Sequence, residues 1–371
     1  MSGHEGRGEA RVLIAGGGTG GHLMPALHVA HELAGRGVSV MLVGGERGRD
    51  GAILERTWRP YRLIPAPFLD RRRWWSNATL PLRLSRALAA ARRVVREFRP
   101  DAVLGTGGYV SVPAGLAARA AGVPLVLQEQ NRRPGVATRL LARWAEAVCV
   151  GFDEAAGWLP EGRVVVTGNP IAPPRPTPAD FAERLDPGRP TVGVFGGSQG
   201  ARAINDAVLD IWGSRPDDAP NLVWQTGQLD EARVRASAAW PERVVIREFF
   251  TPMTAVYPLL DLIVCRAGAM TLAELTAWGI PSILVPYPWA TADHQTGNAR
   301  ALEAAGAALT IAEGKLVPGR LSAAVEALLG EPAKREGMAG AARRLGRPEA
   351  AARVADRVLA AIGSPGGRAS S

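Results

Sequence analysis

Residues 12–21 read VLIAGGGTGG and residues 192–201 read VGVFGGSQGA. Each is a short apolar run that stops at a cluster of glycines and passes into a helix-like stretch. An apolar run with no polar alternation suits a strand buried on both faces, and such strands occur where helices cover a parallel sheet on both sides. The glycines free the backbone to take positive φ and to come close to a ligand. A second pair of segments repeats the plan later in each half: residues 102–127, AVLGTGGYVSVPAGLAARAAGVPLVL, against residues 262–285, LIVCRAGAMTLAELTAWGIPSILV. Each holds a strand, a glycine turn, a helix, a Gly-(Val/Ile)-Pro break and another strand, which reads as an internal echo of one domain plan.

The fold class expected is therefore α/β with two Rossmann-like parallel-sheet domains. The stretch GNPIAPPRPTPADFAERLDPGRP, residues 168–190, is too rich in proline for a helix or a sheet interior and reads as the linker. The boundaries expected are 1–167 for the first domain and 168–345 for the second. Residues 346–363 are expected to form an alanine-rich amphipathic helix that either returns to the first domain or stays with the second, and 364–371 to be a disordered tail.

The 371 residues suit two domains, and 47% hydrophobic with 21% charged residues is an ordinary globular mixture. The net charge of +9 is carried almost wholly by arginine, Lys315 and Lys334 being the only lysines. Such a balance favours anionic partners, although arginine on solvated faces would give the same total. Cys149 and Cys265 each close an apolar run without a neighbour at metal or redox spacing, and read as buried thiols of a reducing compartment. No secretory signal is visible, and no apolar stretch reaches the roughly 20 residues of a spanning helix.

Four glycine turns lie at strand ends: 16–21, 105–109, 196–200 and 266–271. Open α/β sheets bind ligands in that position, so together they point to phosphate or sugar binding. Gly16, Gly18 and Gly21 also satisfy the dinucleotide pattern, and Glu46 lies slightly beyond the second strand, so a nicotinamide enzyme enters as an alternative. There is no Gly-Lys-Ser/Thr phosphate loop. A helix starting near Pro25 would aim free N–H groups at an anion. His22, just before it, is a candidate proton acceptor; a backbone-bonded histidine is the bland alternative. His28 and His31 share a helical face but lack metal-ligating company. The run Gln128–Asn131, QEQN, suits sugar hydroxyls or amides. Thr271 and Glu274 either cap a helix or meet a nucleotide, Glu274 then holding a ribose diol. Asp293, His294, Gln295 and Asn298 form a loop of similar character. No Asp-x-Asp pair or His/carboxylate cluster supports a metal. Phe68, Leu69, Arg72, Trp74 and Trp75 make a basic aromatic stretch suited to an anionic membrane surface. Single-stranded nucleic acid is the lesser alternative, with no recognised binding module beside the arginines.

GGGTGGHLMP, GTGGYVSVPAG, QEQN, GNP, GGSQGARAIN and CRAGAMTLAEL, in this order, resemble the MurG-type N-acetylglucosaminyltransferases of peptidoglycan synthesis. The resemblance runs from about Arg11 to Ala360. It implies a GT-B fold, with two Rossmann-like domains facing across a cleft and the donor held mainly by the second. It implies metal-independent, cofactor-free, inverting transfer of GlcNAc from UDP-GlcNAc to the muramoyl C4 hydroxyl of undecaprenyl-diphospho-muramoyl-pentapeptide (lipid I), giving lipid II. By the same resemblance His22 is the base, and Thr19, Gly20 and Gly21 lie by the sugar and the acceptor diphosphate. Gly18, Gly107, Gly108, Tyr109 and Glu129 serve the acceptor, Asn131 and Gln295 the transferred sugar. Ser198 meets the diphosphate and Phe250 the uracil through its backbone. Ala269, Met270, Thr271, Leu272, Ala273 and Glu274 cradle the nucleotide. The location implied is peripheral, at the cytoplasmic face of an anionic inner membrane, beside other cell-wall synthesis proteins, with no nucleic acid partner.

The pattern departs at Ala172, where the family usually has arginine, at Gln128, where histidine is common, and at His294, where glutamine is common. Arg175 is the candidate replacement for the missing arginine. The rival readings keep the fold with another lipid or natural-product acceptor, or keep sugar-nucleotide binding without catalysis.

Overall fold

A computed structural model describes residues 9–66, 79–212, 219–290 and 293–363. The chain divides into two compact units, one up to Ile171 together with the stretch from Glu349, the other Ala172–Pro348. The first holds β1 (Arg11–Ala15), α1 (Gly20–Gly35), β2 (Ser39–Gly45), α2 (Asp50–Thr57), β3 (Tyr61–Ile64), α3 (Leu80–Phe98), β4 (Ala102–Gly105), α4 (Gly108–Ala120), β5 (Leu125–Glu129), α5 (Val136–Leu141), β6 (Ala147–Val150) and β7 (Val164–Val166). Its seven strands lie in the order β3-β2-β1-β4-β5-β6-β7, all neighbours parallel.

Both faces of this sheet are covered, which explains the unbroken apolar strands. Val12 and Ile14 of β1 join a core with Leu23, Leu27 and Leu33 of α1, while Leu13 and Ala15 pack on the opposite face with Val94, Val95 and Phe98 of α3. Each of the valine, leucine, isoleucine and phenylalanine side chains among these contributes about 1.5–3 kcal/mol by leaving water. The second unit holds β8 (Thr191–Phe195), α6 (Arg202–Trp212), β9 (Asn221–Gln225), α7 (Glu231–Ala236), β10 (Val244–Arg247), β11 (Leu262–Cys265), α8 (Ala269–Trp278), β12 (Ser282–Leu284), α9 (His294–Ala304), β13 (Ala308–Thr310), α10 (Pro318–Gly330) and α11 (Pro332–Leu345). Its six parallel strands run β10-β9-β8-β11-β12-β13, again with a core on each face. The last helix, α12 (Ala350–Gly363), belongs to the first unit, where Val354, Ala355 and Val358 are buried beside α1 and Asp356 accepts a 2.6 Å bond from Arg36.

Strand order reverses between β1 and β4 in the first sheet and between β8 and β11 in the second. The loops that leave these strands spread apart at such a point and open a crevice at the carboxyl ends of the strands. Glycine turns follow all four strands.

One sequence expectation needs correction. Helix α1 starts at Gly20, not near Pro25, so Pro25 lies inside it. A proline there has no N–H to give to the carbonyl of Gly21, four residues back, and Gly21 is solvent-exposed, so water can take that carbonyl. His22 consequently sits in the first helical turn rather than ahead of it. Helix α4 repeats the device, with Pro113 five residues after its first residue, Gly108. Phe68, Leu69, Arg72, Trp74 and Trp75 lie outside the described residues. Cys149 and Cys265 are buried with free thiols, which burial pushes up to about 12.

Candidate active site

In the first unit the loops after β1, β4 and β5 converge on His22. Its Nδ1 lies 3.0 Å from Oε1 of Gln130, and its backbone carbonyl accepts a 2.8 Å bond from the Thr106 hydroxyl. Two glycines wall the ring. A Cβ on Gly107 would stand 2.8 Å from Nδ1 and one on Gly108 3.2 Å from Cδ2, and both residues have positive φ. Gly107 and Gly108, expected at the acceptor, thus also make room for the imidazole. Ser111, buried on α4, lies within hydrogen-bond reach of the carbonyls of Ala15 and Gly107 and ties the two loops together.

The loop 16–19 is held by a residue the sequence reading missed. Asp50 is buried, and its Oδ2 accepts from the N–H groups of Gly18 at 2.7 Å and Gly45 at 2.9 Å. It sat among arginines and glycines as one more polar loop residue, with no local signal. Thr19 flanks α1 in extended conformation and makes no side-chain cap, so the Gly20 and Gly21 end of the helix stays open and solvent-exposed. Tyr109 is exposed at 44%.

Glu129 is committed to its own loop. Its Oε1 accepts from the backbone N–H of Asn131 at 3.1 Å and from that residue's side-chain amide at 3.3 Å, and its Oε2 from Gly135 N–H at 3.0 Å and the Thr138 hydroxyl at 2.6 Å. The carboxylate therefore shapes the loop that presents Asn131.

In the second unit the turn after β8 leaves Ser198 exposed and packs Gly200 against Gly227. A Cβ on Gly200 would meet the Thr226 carbonyl at 2.3 Å, so the loop is closed down on its neighbour by glycine alone. Helix α8 starts at Ala269 after the Gly268 turn and has no side-chain cap at its N-cap residue, so the positive end of its dipole faces the loop that follows β11. Glu274 does not cap it. Instead Tyr257 donates a 2.6 Å hydrogen bond to its Oε2, and burial pushes the carboxyl up to about 7, with the Tyr257 bond pulling the other way. Leu272 is core, while Met270, Thr271 and Ala273 are half-buried on the same turns. Phe250 is buried between Phe181 and Phe195, and its N–H is donated to Gln225 Oε1, so its carbonyl is the backbone group left for a base. Gln295 Oε1 accepts from Tyr287 N–H at 2.9 Å, leaving its amide nitrogen. Arg175 is exposed in the linker. Among the described residues no group of three or more His, Cys, Asp or Glu is placed to hold a metal, and no helix is long and apolar enough to cross a membrane.

Residues 12–150 match the N-terminal domain of glycosyltransferase family 28 and residues 191–354 its C-terminal domain. A UDP-N-acetylglucosamine–N-acetylmuramyl-(pentapeptide) pyrophosphoryl-undecaprenol N-acetylglucosamine transferase of Chlorobaculum tepidum is 43% identical over 365 residues, covering 94% of this chain and 99% of that protein. The enzyme of the same name from Desulforudis audaxviator is 40% identical over 93% of this chain and 97% of its own length. A crystal structure of Acinetobacter baumannii MurG superposes with a TM-score of 0.74 at 30% identity, covering 95% of this chain and 100% of that one. The calicheamicin glycosyltransferase CalG4, at 19% identity and a TM-score of 0.69, shares the fold. The architecture is GT-B, with two Rossmann-like domains, and the chain belongs to glycosyltransferase family 28, among the UDP-N-acetylglucosamine–N-acetylmuramyl-(pentapeptide) pyrophosphoryl-undecaprenol N-acetylglucosamine transferases.

Proposed function

We propose that the chain transfers GlcNAc from UDP-GlcNAc to the C4 hydroxyl of the muramoyl sugar of lipid I, forming lipid II and UDP. The observation that carries this reading is the 43% identity to a transferase of that name along 94% of the chain. The neutral His22 imidazole takes the proton of the attacking hydroxyl as the bond from the C4 oxygen to the anomeric carbon of GlcNAc forms. The bond from that carbon to the diphosphate breaks on the opposite face, and UDP leaves with the electron pair, inverting configuration. The positive end of the α8 dipole and the Gly196–Gly200 loop stabilise the departing charge electrostatically. Ala269–Glu274 cradle the nucleotide, Glu274 accepting from the ribose diol, with Ser198 at the diphosphate and the Phe250 carbonyl at the uracil. Asn131 and Gln295 face the sugar, while Gly18, Thr19, Gly20, Gly21 and Tyr109 serve the acceptor. Glu129 acts through Asn131 rather than by touching substrate. We further propose peripheral attachment at the cytoplasmic membrane face, where the acceptor's polyprenyl chain must lie.

The test is UDP release by purified protein given UDP-GlcNAc, with and without a short-chain lipid I analogue. Release that requires the analogue, with a disaccharide product by mass spectrometry, supports the reading. Binding of UDP-GlcNAc without turnover, beside an active control enzyme, sinks it.

A further inference from the structure

Three side-chain amides lie behind His22. Gln130 Nε2 is 2.7 Å from the carbonyl oxygen of Thr106 and also contacts Gln128 Oε1. Gln128 Nε2 is 3.1 Å from Asn169 Oδ1, and Asn169 Nδ2 is 3.0 Å from the carbonyl oxygen of Gln130. A peptide carbonyl can only accept, so the two backbone oxygens at the ends of this chain settle which way each amide faces. The Thr106 carbonyl requires the nitrogen of Gln130, which turns Oε1 toward the imidazole. From the other end, the Gln130 carbonyl requires the nitrogen of Asn169. Asn169 Oδ1 then faces the nitrogen of Gln128, and Gln128 Oε1 faces the nitrogen of Gln130. Both anchors give the same orientation.

The chain is buried as well as consistent: Gln128, Gln130 and Asn169 are 0%, 2% and 4% exposed. Turning one amide over would set N–H against N–H or oxygen against oxygen without water to relieve it, at about 1–3 kcal/mol for each group left unpaired. The acceptor 3.0 Å from His22 Nδ1 is therefore fixed as an oxygen, and it calls for a proton on that nitrogen.

We infer that Gln130 is a positioning residue that holds neutral His22 as its Nδ1–H tautomer, leaving the lone pair on Nε2, with Gln128 and Asn169 fixing the Gln130 amide. Free imidazole favours the opposite tautomer, with its proton on Nε2 and no basic lone pair there. The catalytic consequence rests on the proposed reading of His22 as the base: Nε2 takes the proton of the acceptor hydroxyl. The imidazolium so formed keeps its bond to Gln130 without any movement.

The test is a two-bond 15N–1H correlation spectrum of the labelled protein at a pH where His22 is neutral, with its signals assigned by their loss in His22→Ala. The expected wild-type pattern is Nδ1–H. Gln130→Met should move it toward Nε2–H and lower kcat about 10-fold to 100-fold, with KM for UDP-GlcNAc unchanged. Gln130→Glu, which keeps an acceptor beside Nδ1, should retain the Nδ1–H pattern. A wild-type spectrum in the Nε2–H pattern overturns the inference, and so does a tautomer that is the same in Gln130→Met. The base reading fails separately: His22→Ala turning over at the wild-type rate would remove it whatever the spectrum shows.

Discussion

The Tyr257 hydroxyl donates a 2.6 Å hydrogen bond to Oε2 of Glu274, on the helix whose N-terminus follows the glycine turn after β11. Burial has pushed this carboxyl up to about 7, and the Tyr257 bond limits the rise. If Glu274 accepts from the ribose diol it does so ionised, so affinity for UDP-GlcNAc should fall as pH drops below about 7. The diphosphate diester of the donor does not titrate in that range. Tyr257→Phe removes the restraining bond and should move the midpoint to higher pH, whereas Glu274→Gln should bind weakly with a flat profile. Calorimetric titration between pH 5.5 and 8.5 checks this, and a wild-type affinity independent of pH would sink the ribose role.

The same shift has a stability consequence of opposite sign. A carboxyl whose folded pKa lies above its unfolded value holds its proton more tightly when folded. Its favourable contribution is complete below the unfolded value near 4.5 and is lost as pH rises through about 7. Glu274→Gln should therefore raise Tm relative to wild type at pH 8, with the gap narrowing towards pH 5. Thermal unfolding at the two pH values reads it, and an equal gap at both would place the origin elsewhere.

Gly107 has φ of 94°, and a Cβ there would stand 2.8 Å from His22 Nδ1. Gly107→Ala faces a displaced imidazole and backbone strain of about 1–3 kcal/mol, because φ 94° with ψ −174° is a conformation nearly confined to glycine. A reacting group moved by about 1 Å can lose on the order of 100-fold in rate. The expected result is a fall in kcat of that order with UDP-GlcNAc affinity little changed, because the residues proposed for the nucleotide lie in the other unit. Equal losses in kcat and donor affinity would point to general unfolding instead.

Thr138 offers a way to separate shaping from touching at Glu129. Thr138→Val removes the 2.6 Å bond to Oε2 while leaving the carboxylate in place. If Glu129 works by holding the loop that carries Asn131, this variant should share the kinetic defect of Glu129→Gln, reduced about 3-fold to 10-fold in proportion to one hydrogen bond of roughly 1 kcal/mol. Wild-type kinetics in Thr138→Val beside a crippled Glu129→Gln would return Glu129 to direct contact with the acceptor.

The exposed arginines of α3, Arg86, Arg92, Arg93 and Arg96, lie opposite its buried stripe of Ala87, Ala91, Val94 and Val95. Near an anionic surface each contributes about 1 kcal/mol. Arg92→Gln with Arg93→Gln should weaken co-sedimentation with phosphatidylglycerol vesicles by about 10-fold or more. Binding to phosphatidylcholine vesicles should be weak in both proteins. Unaltered binding to the anionic vesicles would clear these residues of the membrane role.

The sheet architecture was legible because its signals are local. VLIA, AVLG, LIVC and their like are apolar without alternation, and only a strand covered on both faces tolerates that. The glycine turns were legible for the same reason. The start of α1 was not: Pro25 reads as a first-turn residue, yet an exposed glycine four positions back lets the proline stand inside the helix. The supporting residues of the site were hidden for a different reason. Gln130 is 108 positions from His22 and Asp50 32 from Gly18, so strand order rather than spacing brings each of these pairs together, while Tyr257 and Glu274, 17 apart, lie before and after the single strand β11. Asn169 stood in view within GNP and Gln128 within QEQN, but as members of a linker and a polar loop. That they form one buried amide chain depends on β5, β6 and β7 lying side by side in that order, which no window along the chain reveals.

Asn205 ends the GGSQGARAIN motif, and its place in the fold is internal. It is fully buried on α6, where Oδ1 accepts from Trp224 Nε1 at 2.9 Å and Nδ2 reaches the Thr226 carbonyl at 3.0 Å and Asp230 Oδ2 at 2.8 Å. Thr226 is also the residue on which Gly200 closes, so this one amide joins α6, β9 and the glycine loop. Asn205→Leu keeps the branched shape but strands two buried groups, the Trp224 indole N–H and the Thr226 carbonyl, while Asp230 keeps its bonds from Arg233; this should cost about 2–4 kcal/mol and lower Tm by about 5–15 °C. Trp224→Phe removes the partner of one of those bonds, so the double variant should be less destabilised than the sum, by about 1 kcal/mol or more. Donor affinity should weaken in Asn205→Leu at temperatures well below its Tm, because the loop bearing Ser198 loses its anchor. A destabilised variant that still binds UDP-GlcNAc as wild type does would separate the amide from the loop and leave Asn205 a core residue alone.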